Sequence, residues 1–569
     1  MIFVKELVSA ILQTALSDAV ADGSLALETI PAIDPERPRD AAHGDWASAV
    51  ALRSAKAAGR APREIAQVIV DHIGEHPDVE SVEIAGPGFI NLTLSVHALA
   101  RVLTDARTQK RDFGRGADKQ QYVQVEFVSA NPVGPMHVGH GRWAALGDAL
   151  ALVMEHAGYR IQREFLLNDE GHQMDVFAES VAERYLELLG RPFDEDAIGY
   201  KGAYIKDIAA EIIAAEGEVW ADKDADERRA YFRERSYAQV LEHMKAVLSG
   251  FGVQFDHWFS EHTLHVPDGT GQTAIMRTVD FLRQAGYIFD EDGAIWFKST
   301  EFGDDKDRVL IKSDGVATYF AADVAYHADK YSRGFDLVIN LWGADHHGYI
   351  PRMKAAVAAL GHPGQLEVLL GQLVTLMRGG VPVRMSKRTG EMVTFEELID
   401  EVGVDATRYH LVRTSSDQQL VFDIEQVSDQ SANNPVYYVQ YAHARICSIL
   451  RKAGGVSGDH SVDIDALADT VIPADADLTL LASDAEIALM RKLTEFADVV
   501  ERAARDRAPF RLTHYAEELA ATLHHFYGHC QVISDDTALT AARLYAMDAT
   551  RHALACALRL IGISVPVSM

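Results

Sequence analysis

The chain of 569 residues is poor in cysteine, in basic residues and in long apolar runs, and each shortage excludes a class of protein. Its three cysteines, Cys447, Cys530 and Cys556, stand far apart and form no C-x-x-C pair. This spacing excludes a disulfide framework and a thiolate zinc site, and it predicts a reducing compartment. No apolar run reaches the length of a membrane span, and the start carries Lys5 and Glu6 within an amphipathic stretch, unlike a signal peptide. We therefore expect a cytoplasmic protein with no membrane partner.

Lysine and arginine number 54 against 84 aspartates and glutamates, which gives a formal net charge of −30. This balance argues against loose, charge-driven binding to nucleic acid or anionic membranes, although local basic patches can still hold a nucleic acid. With 48% hydrophobic and 24% charged residues, the composition is that of a globular protein. At roughly 100–200 residues per domain, the length predicts about three to five domains, and the sequence contains no internal repeat.

The first 118 residues have the pattern of a separate α+β module. An amphipathic helix near 2–22 precedes Ala-rich helices across 45–74, and an alternating strand follows at 90–95. The polar, glycine-bearing segment 111–121 has the composition of a linker. The sequence therefore predicts that this module ends near residue 118.

From Tyr122 the pattern becomes that of a parallel sheet. A strand (122–129), a turn (131–141), a helix that closes at Gly158 (142–158) and a second strand (161–167) follow one another. Strand, loop, helix and strand in this order form the unit of a parallel sheet.

The middle of the chain continues the α/β pattern, and its end is helical. Residues 176–250 are mostly helical and charged, which predicts an insertion in the α/β domain. Further strands are predicted at 294–299, 308–313, 336–342 and 367–377. From about residue 432 the pattern is mostly helical, with an Asp-rich interruption at 454–470.

The segment E-F-V-S-A-N-P-V-G-P-M-H-V-G-H-G (126–141) predicts a phosphate site. It lies where a parallel strand passes into a helix, and a helix N-terminus offers N–H groups and positive dipole to an anion. His137 and His140 flank Gly139, which lets a ligand approach the backbone. The two histidines can stabilise charge that develops on a leaving pyrophosphate. A bare H-x-G-H is equally compatible with a pair of surface histidines.

The segment V-P-V-R-M-S-K-R-T-G-E-M-V-T-F (381–395) predicts a mobile basic loop. Arg384, Lys387 and Arg388 lie between glycine-bearing turns, and cations in such a loop can clamp a polyphosphate during group transfer. Taken alone, a basic loop of this kind is more often a solvated surface segment.

Together, H-V-G-H and, about 250 residues later, R-M-S-K-R resemble the paired signatures of class I aminoacyl-tRNA synthetases. The surrounding residues are similar to those of the arginyl-tRNA synthetase family. The similar segments are V-E-F-V-S-A-N-P-V-G-P-M-H-V-G-H-G-R (125–142), S-D-G-V-A-T-Y-F-A-A-D-V-A-Y-H-A-D-K-Y (313–331), L-W-G-A-D-H-H-G-Y-I-P-R-M (341–353), the stretch 384–412, A-G-P-G-F-I-N-L-T-L (85–94) and A-L-R-L-I-G-I-S-V-P-V-S-M (557–569). The resemblance covers essentially the whole chain.

The resemblance implies a fold and a division into domains. The fold is α/β, with a Rossmann-like parallel-sheet catalytic domain over 119–380 that contains the helical insertion at 176–250. An N-terminal α+β module over 1–118 would grip the tRNA elbow. A connecting region with the second signature covers 381–431, and a C-terminal all-α domain over 432–569 would bind the anticodon.

The reaction implied is an ATP-dependent arginine–tRNA ligation. L-arginine and ATP would give arginyl-adenylate and pyrophosphate, and the arginyl group would pass to the 3′-terminal ribose of tRNA(Arg). The partners are then L-arginine, ATP and tRNA(Arg), with Mg²⁺ travelling on the ATP phosphates and no tightly bound cofactor or protein metal site. A self-contained chain of this kind is expected to be a monomer.

Site residues follow from the resemblance by position. The implied catalytic residues are His137, Gly139, His140 and Lys387. The implied ATP contacts are His137, His140, Gly343, Asp345, Met385, Ser386 and Lys387. The implied arginine contacts are Glu126, Asn131, Tyr319, Asp323 and His346. The implied tRNA contacts are Asn91, Tyr441, Arg502, Arg505 and Met569.

These arginine contacts make chemical sense, with two departures from the family pattern. A guanidinium is a planar donor fork that carboxylates meet bidentately and an aromatic ring can stack on. Tyr319 and Asp323 are four positions apart and share one face if their segment is helical. His346 stands where many relatives carry Gln, and Arg384 opens the second signature in place of Lys.

The charge of the C-terminal region is an objection to tRNA binding. Residues 432–569 contain 12 Lys and Arg against 17 Asp and Glu. The densest basic patch is at 501–511, and we expect its arginines to help hold tRNA. These are Arg502, Arg505, Arg507 and Arg511.

Two other functions remain open at this point. One is an H-x-G-H nucleotidyltransferase that adenylylates a small molecule without tRNA, against which the helical C-terminus and the R-M-S-K-R loop argue. The other is a tRNA-binding module that has lost catalysis, for which His137, His140 or Lys387 would have to be missing.

Overall fold

The computed structural model describes residues 4–38, 40–383 and 393–569. Its N-terminal part is an antiparallel sheet of order β1-β3-β2 packed against helices, as the α+β prediction required. The elements are α1 (Val4–Ala21), β1 (Trp46–Ser48), α2 (Val50–Ala58), α3 (Pro62–Ile73), β2 (Val79–Ala85), β3 (Phe89–Leu94) and α4 (Val96–Gln109). The prediction of helix across 45–74 was wrong at β1, where Trp46 pairs with Leu92 of β3, because a distant strand sets this backbone.

The middle of the chain holds the parallel sheet with helices around it. In chain order its elements are β4 (Tyr122–Glu126), α5 (Val138–His156), β5 (Arg160–Leu167), α6 (His172–Leu188), α7 (Ala203–Glu216), α8 (Ala225–Gly250), β6 (His257–Ser260), α9 (His262–His265), α10 (Ala274–Gln284), β7 (Ile288–Glu291), β8 (Ala294–Phe297), β9 (Arg308–Ile311), α11 (Tyr319–Ser332), β10 (Leu337–Gly343), α12 (Ile350–Ala359) and β11 (Leu366–Gly371).

Five of these strands form one parallel sheet of order β11-β10-β4-β5-β6. The first strand, β4, lies in the middle, and the chain builds outward from it in both directions. The order therefore reverses between the carboxyl ends of β4 and β10, where open α/β sheets bind their ligands. Strands β7, β8 and β9 form a separate antiparallel sheet.

The helix after β4 begins earlier than the sequence pattern suggested. Helix α5 starts at Val138, inside the segment predicted as a turn, and His137 is its N-cap residue. Helices α6, α7 and α8 occupy the stretch predicted as a helical insertion.

A small mixed sheet of order β13-β12-β14 connects the sheet domain to the C-terminal helices. Its region contains β12 (Val374–Arg378), β13 (Val381–Pro382), α13 (Phe395–Val402), α14 (Val404–Val412), β14 (Leu420–Asp423) and α15 (Ile424–Ser428). The single strand predicted over 367–377 was wrong, because β11 and β12 belong to different sheets. Arg142 of α5 donates from Nη1 to the Gln372 carbonyl at 2.8 Å, so a tertiary contact breaks a run that is apolar on both sides.

The C-terminal part is all helical, as predicted. Its helices are α16 (Pro435–Ala453), α17 (Ile464–Val471), α18 (Asp484–Thr494), α19 (Phe496–Arg505), α20 (Phe510–His529) and α21 (Thr537–Arg559). After α21 the chain returns along α16, where Gln440 donates to the Ser564 carbonyl at 3.1 Å and Arg451 donates to the Val567 carbonyl at 2.9 Å. In the described ranges, no helix is long and apolar enough to cross a membrane.

Arg408 of α14 ties the parallel-sheet part and the C-terminal part together. This fully buried side chain donates to the Ile561 carbonyl at 2.8 Å and to the Phe251 carbonyl at 3.1 Å, and it forms an ion pair with Asp148 of α5. Gly562 has φ of 70°, and a Cβ there would overlap the Arg408 guanidinium. We call this arrangement of Arg408 with its partners the Arg408 joint.

The N-terminal module packs on the C-terminal helices. Arg107 of α4 donates to Asp548 of α21 at 2.8 Å, and Asp548 also pairs with Arg551 at 2.8 Å. In the segment predicted as a linker, Phe113 stacks on Phe496 with ring centroids 5.3 Å apart. The linker is therefore packed against the body of the protein.

Candidate active site

Two histidines form a capped helix start at the N-terminus of α5. The His140 backbone N–H donates to His137 Nδ1 at 3.3 Å, and the His137 backbone N–H donates to His140 Nδ1 at 3.3 Å. The two rings stack with centroids 3.7 Å apart. Because both Nδ1 atoms accept, each neutral ring carries its proton on Nε2. Two imidazole N–H groups therefore stand at the positive end of a 19-residue helix.

Gly139 makes this histidine stack possible. A Cβ at Gly139 would lie 2.9 Å from the His137 ring, closer than real Cβ contacts allow. The space that the sequence analysis assigned to an approaching ligand is thus used by His137. Gly139 shapes the histidine pair and does not by itself open the backbone to a substrate.

The chain that leaves the second signature contacts the first. Thr394 forms a β-bridge with His137, and the Phe395 N–H donates to the Met136 carbonyl at 2.9 Å. The predicted residues Met385, Ser386 and Lys387, with Arg384 and Arg388, lie outside the described residues. The described residues that follow them, Thr394 and Phe395, contact the chain at the histidine pair.

Glu126 ends β4 and lies 5% exposed at the point where the strand order reverses. Its Oε2 accepts from Lys330 Nζ at 2.5 Å, and its Oε1 accepts from the Ser129 hydroxyl at 3.1 Å. Val128 and Ser129 follow with φ of 69° and 40°. Non-glycine residues rarely adopt these values, and such strain at about 1–3 kcal/mol per residue is typical of functional sites.

The first two turns of α11 carry two of the predicted arginine contacts. Tyr319 is 79% exposed, and the carboxylate of Asp323 accepts from the Tyr349 hydroxyl at 2.5 Å. Burial raises the pKa of Asp323 to about 6, and the Glu126 carboxylate adds to the rise while the Tyr349 hydroxyl opposes it. Asp323 is therefore a carboxyl group whose ionised form lacks enough stabilising partners.

Glu261 is a candidate residue that the sequence analysis missed. It directly follows β6, at the same sheet edge as Glu126, and its side chain is 16% exposed. Burial raises the pKa of Glu261 to about 7, together with the nearby carboxylates of Asp323, Asp169 and Glu170. The available signal was its place just after a short aromatic stretch, H-W-F-S, because the carboxyl ends of parallel strands meet at one edge.

Asn131 lies between the strained turn and α5. Its side-chain oxygen accepts from Asn168 at 2.8 Å, and its nitrogen donates to Gln173 at 2.8 Å. These amides follow β5 and begin α6, so Asn131 fastens the first signature to the neighbouring strand end.

The predicted residues after β10 form the exposed rim of the crevice. Gly343 ends β10, and a short 3₁₀ turn over 344–349 follows it. The side chains of Asp345 and His346 are 80% and 59% exposed, and His346 Nε2 lies 3.5 Å from the Asp345 carboxylate. Tyr349, which the sequence analysis also missed, brings this turn to Asp323.

The crevice thus combines residues from several strand ends. The histidine pair, Glu126, Asp323 and Gly343 converge through α5, β4, α11 and β10. Among the described residues, no group of three or more His, Cys, Asp or Glu side chains is arranged to hold a metal ion.

Of the predicted tRNA contacts, Asn91 is not accessible as the structure places it. It is 6% exposed in the central strand β3, whereas Phe89 of the same segment is 40% exposed. A nucleotide can reach Phe89 without a change in the sheet. The Asn91 contact therefore stays a prediction, and Phe89 is the more accessible side chain of this segment.

The arginine patch of the C-terminal part is partly neutralised. Arg505 and Arg511 each pair with Asp506 at 3.0 Å, and Arg507 pairs with Glu367 of β11 at 2.9 Å. Arg502 donates to the Asp498 backbone carbonyl at 3.2 Å. Arg502 and Arg505 line a cleft of about 320 Å³ between α19 and the N-terminal module.

An exposed aromatic surface surrounds Tyr441 on α16. Tyr441 is 46% exposed and stacks near His524, with ring centroids 6.3 Å apart. The Arg445 guanidinium lies 4.0 Å from the centre of the Tyr527 ring. Met569 is 61% exposed. Exposed aromatic and guanidinium planes are suited to stacking on splayed bases.

Comparisons with known proteins identify the family. Residues 6–94 match the "Arginyl tRNA synthetase N terminal domain", residues 102–450 match "tRNA synthetases class I (R), catalytic domain", and residues 439–569 match the "DALR anticodon binding domain". The arginine–tRNA ligase of Oceanobacillus iheyensis is 44% identical over 563 residues, which is 98% of each chain. The chain belongs to the arginyl-tRNA synthetase family.

Solved structures agree with this assignment. The putative arginyl-tRNA synthetase of Campylobacter jejuni matches with a TM-score of 0.74 and 33% identity, over 84% of this chain and all of that one. The arginyl-tRNA synthetase of Thermus thermophilus has the same fold, with a TM-score of 0.74 at 23% identity, over 99% of this chain and all of that one. The α/β class I synthetase fold predicted from the sequence is confirmed.

Proposed function

We propose that the crevice at the carboxyl ends of β4, β6 and β10 is the site where this synthetase activates arginine. As a member of the arginyl-tRNA synthetase family, the protein ligates arginine to tRNA with the use of ATP. The observation that carries the proposed site is the group of carboxyl side chains at this sheet edge, Glu126, Asp323 and Glu261, of which Asp323 and Glu261 have a raised pKa. A bound guanidinium supplies the positive charge that Asp323 lacks, and to Glu261 it offers a stronger partner than His265, which lies 3.9 Å away.

Carboxylates and an aromatic ring together recognise the arginine side chain. Asp323 and Glu261 receive the guanidinium, and the exposed Tyr319 ring stacks on it. Glu126 adds an acceptor whose charge Lys330 already balances. Asn131 and His346 serve the α-amino and carboxylate end of the substrate.

The first step joins arginine to the α-phosphorus of ATP. The arginine carboxylate attacks, the bond to the pyrophosphate oxygen breaks, and arginyl-adenylate forms. His137 and His140 donate from Nε2 to phosphate oxygens and stabilise charge on the departing pyrophosphate. Gly343 and Asp345 approach the adenosine, and Met385, Ser386 and Lys387 close over the phosphates. Mg²⁺ enters as part of the ATP substrate.

The second step uses the outer modules. A hydroxyl of the terminal tRNA ribose attacks the adenylate carbonyl, AMP leaves, and arginyl-tRNA forms. We propose that residues 1–118 bind the tRNA elbow and residues 432–569 the anticodon, around the catalytic domain at 119–380 and the connecting region at 381–431. Contacts come from Tyr441, Met569, Arg502 and Arg505. The enzyme works as a cytoplasmic monomer.

ATP–pyrophosphate exchange with each amino acid, with and without total tRNA, tests this proposal. We expect exchange with arginine alone, appearing or rising sharply with tRNA. Exchange with another amino acid would leave the fold intact and disprove the pocket. No exchange at all would favour the alternative of a tRNA-binding protein without catalysis, and tRNA-independent adenylylation of another molecule would favour the nucleotidyltransferase alternative.

Lys387→Ala tests the phosphate clamp. We expect kcat to fall about 100-fold while arginine binding stays nearly constant, because a charge that acts on the transition state is lost. The measurement is single-turnover adenylate formation beside arginine binding by calorimetry. Loss of arginine binding with normal turnover of bound substrate would contradict the clamp role.

A further inference from the structure

The face of the parallel sheet under α11 is polar where a sheet–helix contact is ordinarily apolar. Its buried polar side chains are Gln124, Glu126, Glu164 and Asn340. Helix α11 sets two cations against this face, Lys330 near Glu126 and Arg333 near Glu164. Two buried carboxylates are thus matched by two basic residues of one helix.

Lys330 is the more deeply placed of these cations. Its side chain is fully buried, against 23% exposure for Arg333. The ammonium donates to Glu126 Oε2 at 2.5 Å and to Asn340 Oδ1 at 2.9 Å, and it lies 4.4 Å from the centre of the Tyr326 ring. The ammonium therefore stands directly behind one of the proposed arginine contacts.

A directed chain of hydrogen bonds locks Lys330 in this position. Because an ammonium only donates, Asn340 must present its oxygen to Lys330 and its nitrogen to His327 Nε2, at 3.0 Å. His327 then carries its proton on Nδ1 and donates to the Asp323 backbone carbonyl at 2.8 Å. Burial lowers the pKa of His327 to about 3, so the ring is neutral, as this chain requires.

We propose that Lys330 is a positioning residue for arginine, acting as an internal counter-cation through Glu126. It orients the Glu126 carboxylate at the end of β4 through the hydrogen bond of 2.5 Å, and the ion pair adds no net charge to the crevice. Asp323 and Glu261 then carry the negative charge that selects the substrate guanidinium. This inference rests on the proposed arginine site.

Removal of either partner leaves the other as an unpaired buried charge. An unpaired Glu126 loses the contact that orients its carboxylate, and an unpaired Lys330 repels the substrate cation. Replacing both Lys330 and Glu126 leaves two neutral side chains. Replacing a whole buried ion pair destabilises a protein much less than removing one of its partners. The two substitutions must therefore compensate each other.

The test uses the full-length enzyme with Lys330→Met, Glu126→Gln and the double variant. We expect each single variant to raise the arginine KM about tenfold, with less than about a twofold change for ATP, and the double variant to be milder than either. Independent effects that multiply in the double variant would overturn the proposal. If Lys330→Met does not fold, the comparison of Glu126→Gln with the double variant decides: a lower arginine KM in the double supports the proposal and a higher one overturns it.

Arg333→Met is the matched control. It removes the other cation of the same helix from the same sheet face, so it should lower the thermal midpoint and leave the arginine KM unchanged. An equal rise of the arginine KM in Arg333→Met would mean that Lys330 only holds α11 in place. Asp323→Asn tests the arginine site itself. An unchanged arginine KM in that variant would disprove the whole pocket, whereas a raised KM there would leave the role of Lys330 to be decided by its own variants.

Discussion

Two carboxylates near opposite ends of α11, the buried Glu164 and the half-buried Asp323, meet opposite electrostatic environments. Glu164 accepts from Arg333 Nη2 at 3.0 Å, and although burial alone would raise its pKa, Arg333 and Lys330 bring the pKa down to about 2. Asp323 has the Tyr349 hydroxyl as its partner, and its pKa rises to about 6. Within the part of the chain that the structure describes, no basic side chain forms an ion pair with Asp323.

The joints between modules follow the pattern of Glu164. Asp548 pairs with Arg107 and Arg551, and Asp148 pairs with Arg163 and Arg408. At these joints an arginine side chain balances each buried carboxylate. No arginine of the described ranges pairs with Asp323, and we infer that the substrate arginine plays there the part that arginine side chains play elsewhere in the molecule.

Asp548→Asn should produce the largest change, and it should act on stability. The Asp548 side chain is 2% exposed, and the substitution leaves Arg107 and Arg551 facing a neutral amide. Breaking a buried ion pair lowers the free energy of unfolding by about 3–5 kcal/mol. Chemical unfolding followed by circular dichroism measures this loss, and the arginine KM of the folded enzyme should stay constant. A raised arginine KM without loss of stability would contradict the division between structural and substrate-binding carboxylates.

Asp323→Asn should act on substrate binding instead. Loss of a charge partner for a buried guanidinium corresponds to a rise of about 100-fold in the arginine KM, with little change for ATP. Steady-state aminoacylation measures both constants. Asp329→Asn is the control on the same helix, since Asp329 pairs with Arg333 at 3.0 Å, and a similar rise there would mean that any charge loss on α11 disturbs the site.

The arginine KM should depend on pH between about 5.5 and 7.5. Because Asp323 and Glu261 have pKa values of about 6 and about 7, both hold protons at the acid end. The guanidinium binds the ionised carboxylates, so the arginine KM should fall about tenfold as the pH rises through this window. Kinetics of Glu261→Gln beside the natural enzyme check this, with a shallower dependence expected in the variant. A flat profile in the natural enzyme would show that neither group titrates on binding.

Arg502→Gln with Arg505→Gln should have the smallest effect, a loss of about two in the salt slope of tRNA binding. These side chains line the cleft beside the N-terminal module, whereas Arg507 is engaged with Glu367. Arg507→Gln is therefore the control, with an unchanged slope. Filter binding of tRNA over a range of salt concentrations makes the measurement, and an unchanged slope in the double variant would mean that the patch is a solvated helix face.

The parts of the fold that local pattern encodes could be predicted from the sequence. The strand before His137, the helix after it and the helical C-terminal part each carry their own periodicity. The strand β1 and the break at Gln372 could not be predicted in this way. They depend on Leu92 and Arg142, which are distant in sequence.

The site shows the same limit. The histidine pair was predicted from a short motif, but Glu126, Tyr319 and Asp323 were named through family resemblance. Glu261 was missed because its place depends on which strand ends meet. Tyr349 and Lys330 were missed because their partners, Asp323 and Glu126, are distant in sequence. The burial of Asn91 could not be predicted either. An alternating pattern predicts a strand with two faces, but it does not show which face other elements cover.

The Arg408 joint limits how parts of such enzymes can be exchanged. A C-terminal domain cut at residue 432 and transferred to a relative would carry Ile561 and Gly562 but leave Arg408 and Asp148 behind. The recipient must offer an arginine at the matching place, and the donor must keep a glycine that leaves room for its guanidinium. Working chimaeras therefore need an α14 and a C-terminal tail that match at this arginine and this glycine.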